Sequence, residues 1–392
     1  MSAFRWLTAG ESHGPGLTMI VEGMPAGVML DEDMIEADLA RRQGGYGRGG
    51  RQAIEHDHAF IHSGVRHGKT IGSPIGMTMV NRDFQNANWG VRMSVGPVDH
   101  EVERVTLLRP GHADLAGTQK YGFDDVRPIL ERSSARETAA RVAVGAIARA
   151  LIREIGIGVH SHTVQLGEIR ANVPAHIDWA AVDASPVRVA DRSVEQPMID
   201  EVDRAREALD TVGGVFEVRA SGVPFGLGSH VHWDRKLDGR IAQAIMSINA
   251  VKAVDIGDGI ADAAKRGSQV QDVILPASAW ERRRWEHMTN RAGGLEAGMT
   301  NGEEIVVRGF LKPISTIPQR MPTADLLTGE EVTSFYERSD TAVVPAAGVI
   351  GEAMVAIVLA GAMLEKFGGD HIAEIRRNFD AFIATVGPRE AR

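Results

Sequence analysis

Cysteine is absent from all 392 residues. That excludes disulfides, thiolate metal sites and cysteine nucleophiles. Aromatic residues are scarce, at 5%, and no RNA-binding motif interleaves them with basic residues. The formal net charge of -9 has the wrong sign for a broad polyanion-binding surface, so nucleic acid is not an expected partner. The stretch from Met1 to His13 lacks the basic and apolar regions of a signal peptide, and a cytoplasmic location is expected. Only Val343 to Leu364, whose single charge is Glu352, is long and apolar enough to cross a bilayer. It is rich in Ala and Gly, with Pro345 near its start and Gly368-Gly369 past its end, and no aromatic belt flanks it. A buried helix and no membrane are expected. There is no low-complexity linker and no repeat of fixed period, and the length suits one large domain or two ordinary ones.

The remaining composition, 43% hydrophobic and 24% charged, is that of a soluble globular protein. Ile35 and Leu39 predict a helix over 31–42. Ala59 to Ile61 and Thr70 to Val80 read as strands around a turn. Residues 135–155 form the clearest helix, with Ser134 and Glu137 matching a capping box and Gly156 ending it. Segments 157–168, 214–222 and 251–256 alternate as strands do. Leu237, Ile241 and Ile245 mark another helix. Asn301-Gly302 reads as a hairpin turn before a strand from Glu304 to Leu311. Residues 266–290, with arginines at 282, 283 and 284, read as an exposed excursion. Helices and strands do not alternate regularly, so the expected class is α+β, antiparallel sheets packed on helices.

Chemistry concentrates in short loops. Arg41 to Arg51 carries four arginines on a backbone nearly half glycine. Guanidinium forks bind phosphates or carboxylates, and glycine permits close approach. A local basic cluster on an acidic protein points to a defined anionic ligand. Thr8 to Gly14 sets Ser12 beside His13, a residue able to exchange protons near neutrality. Arg109-Pro-Gly-His-Ala-Asp114 repeats the theme. Glu131 to Glu137 places Arg132, Arg136 and two hydroxyls at a helix start, where anions bind or where the arginines simply pair with carboxylates. Lys312 to Thr316 and Arg338-Ser-Asp340 are further polar loops. Gly64 to Thr70 is one residue short of a P-loop and precedes an apolar, strand-like run, so a nucleotide-dependent phosphotransferase is disfavoured. RNA binding through the Arg/Gly loop is disfavoured by the charge and the few aromatics. The pairs His56/His58, His160/His162 and His230/His232 lack a third ligand at motif spacing, and no metal site is expected.

Taken in order, these segments resemble the chorismate synthase family in its compact bacterial form. Met-Ser-Ile-Asn-Ala-Val-Lys at 246–252 and Gly-Met-Thr-Asn-Gly at 298–302 join the match, which spans nearly the whole chain. The resemblance implies a single domain over 1–392, α+β, with helices sandwiched between antiparallel sheets, and assembly as a homotetramer. It implies conversion of 5-enolpyruvylshikimate 3-phosphate to chorismate and phosphate by 1,4-anti elimination. The reaction needs reduced FMN without net redox change. An external flavin reductase, or NADPH directly, would supply the electrons.

By position, the resemblance assigns Arg42, Arg48, Arg51, Arg109, Ser134, Arg136 and Arg338 to substrate binding, some of them interchangeable with the flavin. His13 would be the acid toward the departing phosphate. His112 would lie near the flavin N1 end. Asp340, with Ser12 and one of Ser133 and Ser134, would relay a proton at N5. Flavin contacts would be Ser134, Ala135, Arg136, Asn249, Ala250, Ala297, Lys312, Pro313, Ile314, Ser315, Thr316 and Arg338. The chain departs from the family pattern at Ala297, where glycine is usual, so a methyl there would oppose close approach or positive φ. The Gly/Arg loop is expected to stay mobile until both ligands are present.

Overall fold

A computed structural model describes residues 4–49, 56–85, 87–276, 285–337 and 339–387. Two antiparallel sheets enclose a layer of helices. The first contains β1 (Arg5–Ala9), β2 (Gly16–Glu22), β3 (Phe60–Ile61) and β4 (Ile75–Val80), in the order β1-β2-β4-β3. The second contains β5 (Gly158–Leu166), β6 (Ile169–Arg170), β7 (Gly214–Ser221), β8 (Val251–Ile256) and β9 (Ile305–Leu311), in the order β8-β9-β7-β5-β6. Between them lie α1 (Glu32–Gln43), α2 (Glu137–Arg153), α3 (Leu237–Met246) and α4 (Val344–Phe367), with α5 (Ile372–Ile383) closing one end of α4. The α2 helix packs on the first sheet and α4 on the second. This is the α+β sandwich that the sequence and the resemblance led us to expect.

Local chemistry accounts for the main elements. Asp31 caps α1 by accepting from the Met34 amide at 3.0 Å, and Ile35, Leu39 and Arg42 form its buried face. Along β2, Leu17, Met19 and Val21 are buried while Thr18, Ile20 and Glu22 are exposed, a period of two. The apolar run at the C-terminal end is α4, and 94% of its most apolar window is buried in protein. Small residues let α2 and α4 meet at backbone range. A Cβ on Gly145 of α2 would lie 2.3 Å from the Cβ of Ala353.

Two expectations need correction, and a third gains detail. Ser134 does not cap α2. It ends the preceding short helix, Arg127–Ser133, in an extended conformation, and α2 begins at Glu137 without a side-chain cap. The amides of Glu137, Thr138 and Ala139 already bond to carbonyls three residues back, at 3.2, 3.1 and 3.0 Å. That helix start is therefore no open cradle of free N–H groups. Asn301-Gly302 is not the hairpin turn. The turn is Ala297-Gly298, both at positive φ (51° and 85°), between short strands Leu295–Glu296 and Met299–Thr300. The Asn301 side chain instead accepts from the Glu303 amide. Finally, the 266–290 excursion contains a two-stranded ribbon, Ile274–Pro276 with Trp285–His287, and its three arginines lie outside the described residues.

The close helix contact gives a test. Gly145→Ala adds helix propensity, worth about 1 kcal/mol, yet forces a methyl into Ala353. We expect a net loss of about 1–3 kcal/mol in urea unfolding. A gain in stability would mean that the two helices are not held this close.

Candidate active site

Loops from both sheets and from the helix ends line one cavity of about 670 Å³. Its first wall is the β1–β2 loop. Asn81 fixes that loop by donating to the carbonyls of Glu11, Ser12 and Gly14 at 3.0, 3.3 and 2.8 Å. Glu131, whose side chain is wholly buried, grips His13 twice: it accepts from the backbone amide at 2.7 Å and lies 3.0 Å from ring Nδ1. The imidazole stacks on Trp89 with centroids 3.9 Å apart. The Ser134 hydroxyl donates to that of Ser12 at 3.1 Å.

Opposite chemistry repeats the device. His112 Nδ1 lies 2.5 Å from Asp114, a side chain with no exposure. Arg109 also forks onto Asp114, at 2.8 and 3.0 Å, and its plane covers Phe335 at 5.1 Å. Two histidines thus enter one cavity, each backed by a buried carboxylate.

The arginines form a third wall. Arg42 donates to the Thr138 hydroxyl at 3.0 and 2.9 Å and to the Ala135 carbonyl at 3.0 Å. Arg136 bonds to Asn81 at 3.0 Å and to Asp57 at 2.5 Å. Arg48 pairs with Asp340 at 3.0 Å, while its buried Nε has no partner among the described residues. Asp340 also accepts from the Gly49 amide at 2.7 Å. Asn249, Ala250 and Lys312 supply a floor. Asn249 donates to the Ser133 carbonyl, Lys312 donates to the Gly111 carbonyl at 3.0 Å, and Ala250 sits at φ 67°, a conformation a non-glycine residue adopts only when its surroundings enforce it. Ile314, Ser315 and Thr316 complete that side, and Val343, Ala347 and Ile350 of the α4 region supply apolar surface.

The sequence profile of the family described as "Chorismate synthase" matches residues 4–364. The chain belongs to the chorismate synthase family. The chorismate synthase of Micrococcus luteus is 52% identical over 393 residues, covering 97% of this chain and 94% of that one. That of Rubrobacter xylanophilus is 52% identical over 385 residues, covering 98% and 97%. A solved chorismate synthase crystal structure superposes with a TM-score of 0.77 at 40% identity, covering 97% of each chain.

Most of the positions carried over from the chorismate synthase pattern face the cavity, but not all. Pro313 is exposed and not part of its lining, and Ala297, exposed at the hairpin turn, is not part of it either. Arg51 and Arg338 fall outside the described residues. Among the described residues no hydrogen bond joins Asp340 to the Ser12–Ser134 pair; it serves Arg48 and Gly49 instead. The first half of the Gly/Arg loop is anchored by hydrogen bonds to neighbouring segments. The Tyr46 amide donates to Pro186 and its hydroxyl to Asp203, and the Gly47 carbonyl accepts from Thr341. Gly64 to Thr70 forms a hairpin, Val65–Arg66 with Lys69–Thr70, and no helix follows it. His160 stacks on Trp179 and His162 bonds to Glu217 at 3.0 Å.

The sequence reading missed Trp89, Asp57 and Asn81, and it quoted Glu131 and Asp114 without giving them work. Asp57 stood between two histidines read as a chance pair, and only the tertiary fold shows that it faces Arg42 and Arg136.

Charge state follows from this geometry. Burial acts to raise the Asp114 carboxyl, but the bonds from His112 and Arg109 outweigh it and hold it at about 2. Glu131 is likewise lowered: burial opposes, and His13 and then Arg127 prevail. Arg42 is lowered too, but for a guanidinium that direction disfavours the charged form. Burial, then the Arg48 charge, bring it down to about 10, with Asp57 opposing and Arg136 adding to the fall. An arriving anion would relieve that crowding.

Carboxyls lowered on folding stabilise the protein fully above their unfolded values, near 4, and lose that contribution as pH falls through the folded value. With Asp114 and Glu217 both at about 2, we expect the urea midpoint to fall steadily from about pH 4.5 to about pH 2. A midpoint flat across that window would contradict the pairings.

Proposed function

We propose that this cavity binds reduced FMN together with 5-enolpyruvylshikimate 3-phosphate and carries out the reaction of the chorismate synthase family. That reaction is a carbon–oxygen lyase step, 1,4-elimination of phosphate to give chorismate. The bond from C3 to the phosphate oxygen breaks, a hydrogen leaves C6, and the electrons redistribute into the ring diene. The observation that carries the proposal is a cation-lined cavity entered by two histidines, each held by a buried carboxylate.

The residues suit a flavin phosphate and a second anionic ligand. Arg48 has a buried Nε without a partner among the described residues, and Arg42 is crowded by like charge. The cavity volume lies within the range of small-molecule sites, about 300–1,000 Å³. When bound, reduced FMN supplies the electron density that starts C–O cleavage and the group that takes the C6 hydrogen. Asn249, Ala250, Lys312 and residues 313–316 would hold it, with His112 near its N1 end. Arg42, Arg48 and Arg136, with Arg51 and Arg338, would hold the substrate's phosphate and carboxylates. His13 would protonate the departing phosphate. Its Nδ1 bond to Glu131 fixes the orientation of the ring for that transfer. Ser12 and Ser134 would pass a proton beside it.

The reading extends to the whole protein. Residues 1–392 would act as one cytoplasmic domain, assembled as a homotetramer and served by an external flavin reductase or by NADPH. Leu7 and Ile20, cross-strand partners that are 71% and 47% exposed on the first sheet, support contact with another copy.

Anaerobic assay of the purified protein tests the activity. Chorismate and phosphate should appear in equal amounts with dithionite-reduced FMN and not with oxidised FMN or none. Product under all three conditions would contradict the flavin requirement. His13→Ala should lose about 10²–10⁴-fold in turnover, the scale of a general acid, while flavin affinity stays the same. Turnover at the parental rate would remove His13 from that role.

A further inference from the structure

The most apolar helix carries a fully buried carboxylate, Glu352, that does not line the cavity and takes no part in the chemistry above. Both its oxygens are occupied. Arg41 forks onto it at 2.7 and 2.8 Å, Arg149 donates at 2.9 Å, and the Ser161 hydroxyl donates at 2.7 Å. Arg188 approaches it at 3.5 Å. Burying such a group costs several kcal/mol in desolvation, and well-packed apolar residues often replace buried ion clusters without loss of stability. Packing alone therefore does not call for this one.

Its neighbours reach the cavity. Arg41 and Arg42 are adjacent on the last turn of α1, and their side chains diverge. Arg41 goes to Glu352, and Arg42 to Thr138 and Ala135 on the cavity wall. Beyond them, the loop that carries Arg48 leans on the segment that carries Arg188. The Pro186 carbonyl accepts from the Tyr46 amide at 2.6 Å. Arg188 holds φ at 53°, unusual for a bulky side chain, and bonds through its guanidinium to the Ser161 carbonyl and to Asp183. Both ends of the stretch bearing Arg42 and Arg48 are thus tied to groups that converge on Glu352.

We infer that Glu352 is a positioning residue for substrate binding, setting the place of Arg42 through Arg41 and that of the Arg48 loop through Arg188. The inference rests on the reading that Arg42 and Arg48 hold the substrate's anions. Glu352 touches neither ligand, so its removal should act on KM and spare kcat at saturation.

Glu352→Gln keeps the size and removes the charge. We expect KM for 5-enolpyruvylshikimate 3-phosphate to rise about tenfold or more, with kcat within about threefold. Arg42→Lys alone should also raise KM, and because both changes act on one group the double variant should exceed the worse single variant by less than about twofold. If Glu352→Gln does not accumulate, Arg41→Lys makes the same test. It keeps every charge but loses the bidentate grip, and the same rise in KM is expected. A lower melting temperature with unchanged KM in Glu352→Gln, beside a raised KM in Arg42→Lys, would overturn this inference alone, as would effects that multiply in the double variant. Unchanged KM in Arg42→Lys itself would overturn the assignment of Arg42 to the substrate and this inference with it.

Discussion

Buried carboxylates behind the cavity hold its reactive and cationic groups, and the rest of the site depends on that pairing. Glu131 stands behind His13, Asp114 behind His112 and Arg109, and Asp57 behind Arg136 and Arg42. None of the three carboxylates has more than 2% side-chain exposure. In so dry a setting a paired charge is strongly directed, and an unpaired one is costly. The pairing thus fixes where each guanidinium and imidazole can point. It also crowds Arg42 beside the like charges of Arg48 and Arg136 at the cavity wall.

The sandwich makes this possible by bringing distant loops to one end of its helical layer. The hold on His13 spans 118 residues, that on Arg136 spans 79, and the bond from Arg109 to Thr316 spans 207. Small residues in α2 and α4 allow the helices to approach at backbone range, which keeps the layer thin. The cavity is then walled by segments from both sheets.

Several elements were legible because they are local. Asp31, Ile35 and Leu39 specify α1 by cap and period, and the apolar run with Pro345 near its start specifies α4. The Arg/Gly block and the two histidine loops stood out because unusual residue types crowd into short segments. Other features were illegible for physical reasons. Ser134 and Glu137 have capping-box spacing, but a tight turn with hydrogen bonds to carbonyls three residues back takes up those amides first. Asn301-Gly302 has ideal hairpin chemistry, yet the turn falls at Ala297-Gly298, where the strand pairing fixes it despite the alanine. Asp57, Asn81 and Trp89 carry no local signature, and their partners are set only when the chain closes on itself. Glu352 was visible as a lone charge in an apolar run, but not its three arginines.

The most direct test of this account is hydrogen exchange of the backbone amides, with and without FMN and 5-enolpyruvylshikimate 3-phosphate together. The account places the ligands' anions against Arg42, Arg48 and Arg136, so protection should rise over residues 42–49 and 134–138 and stay unchanged at the distant α5. Ligands that bind while leaving both of those segments unprotected would contradict it.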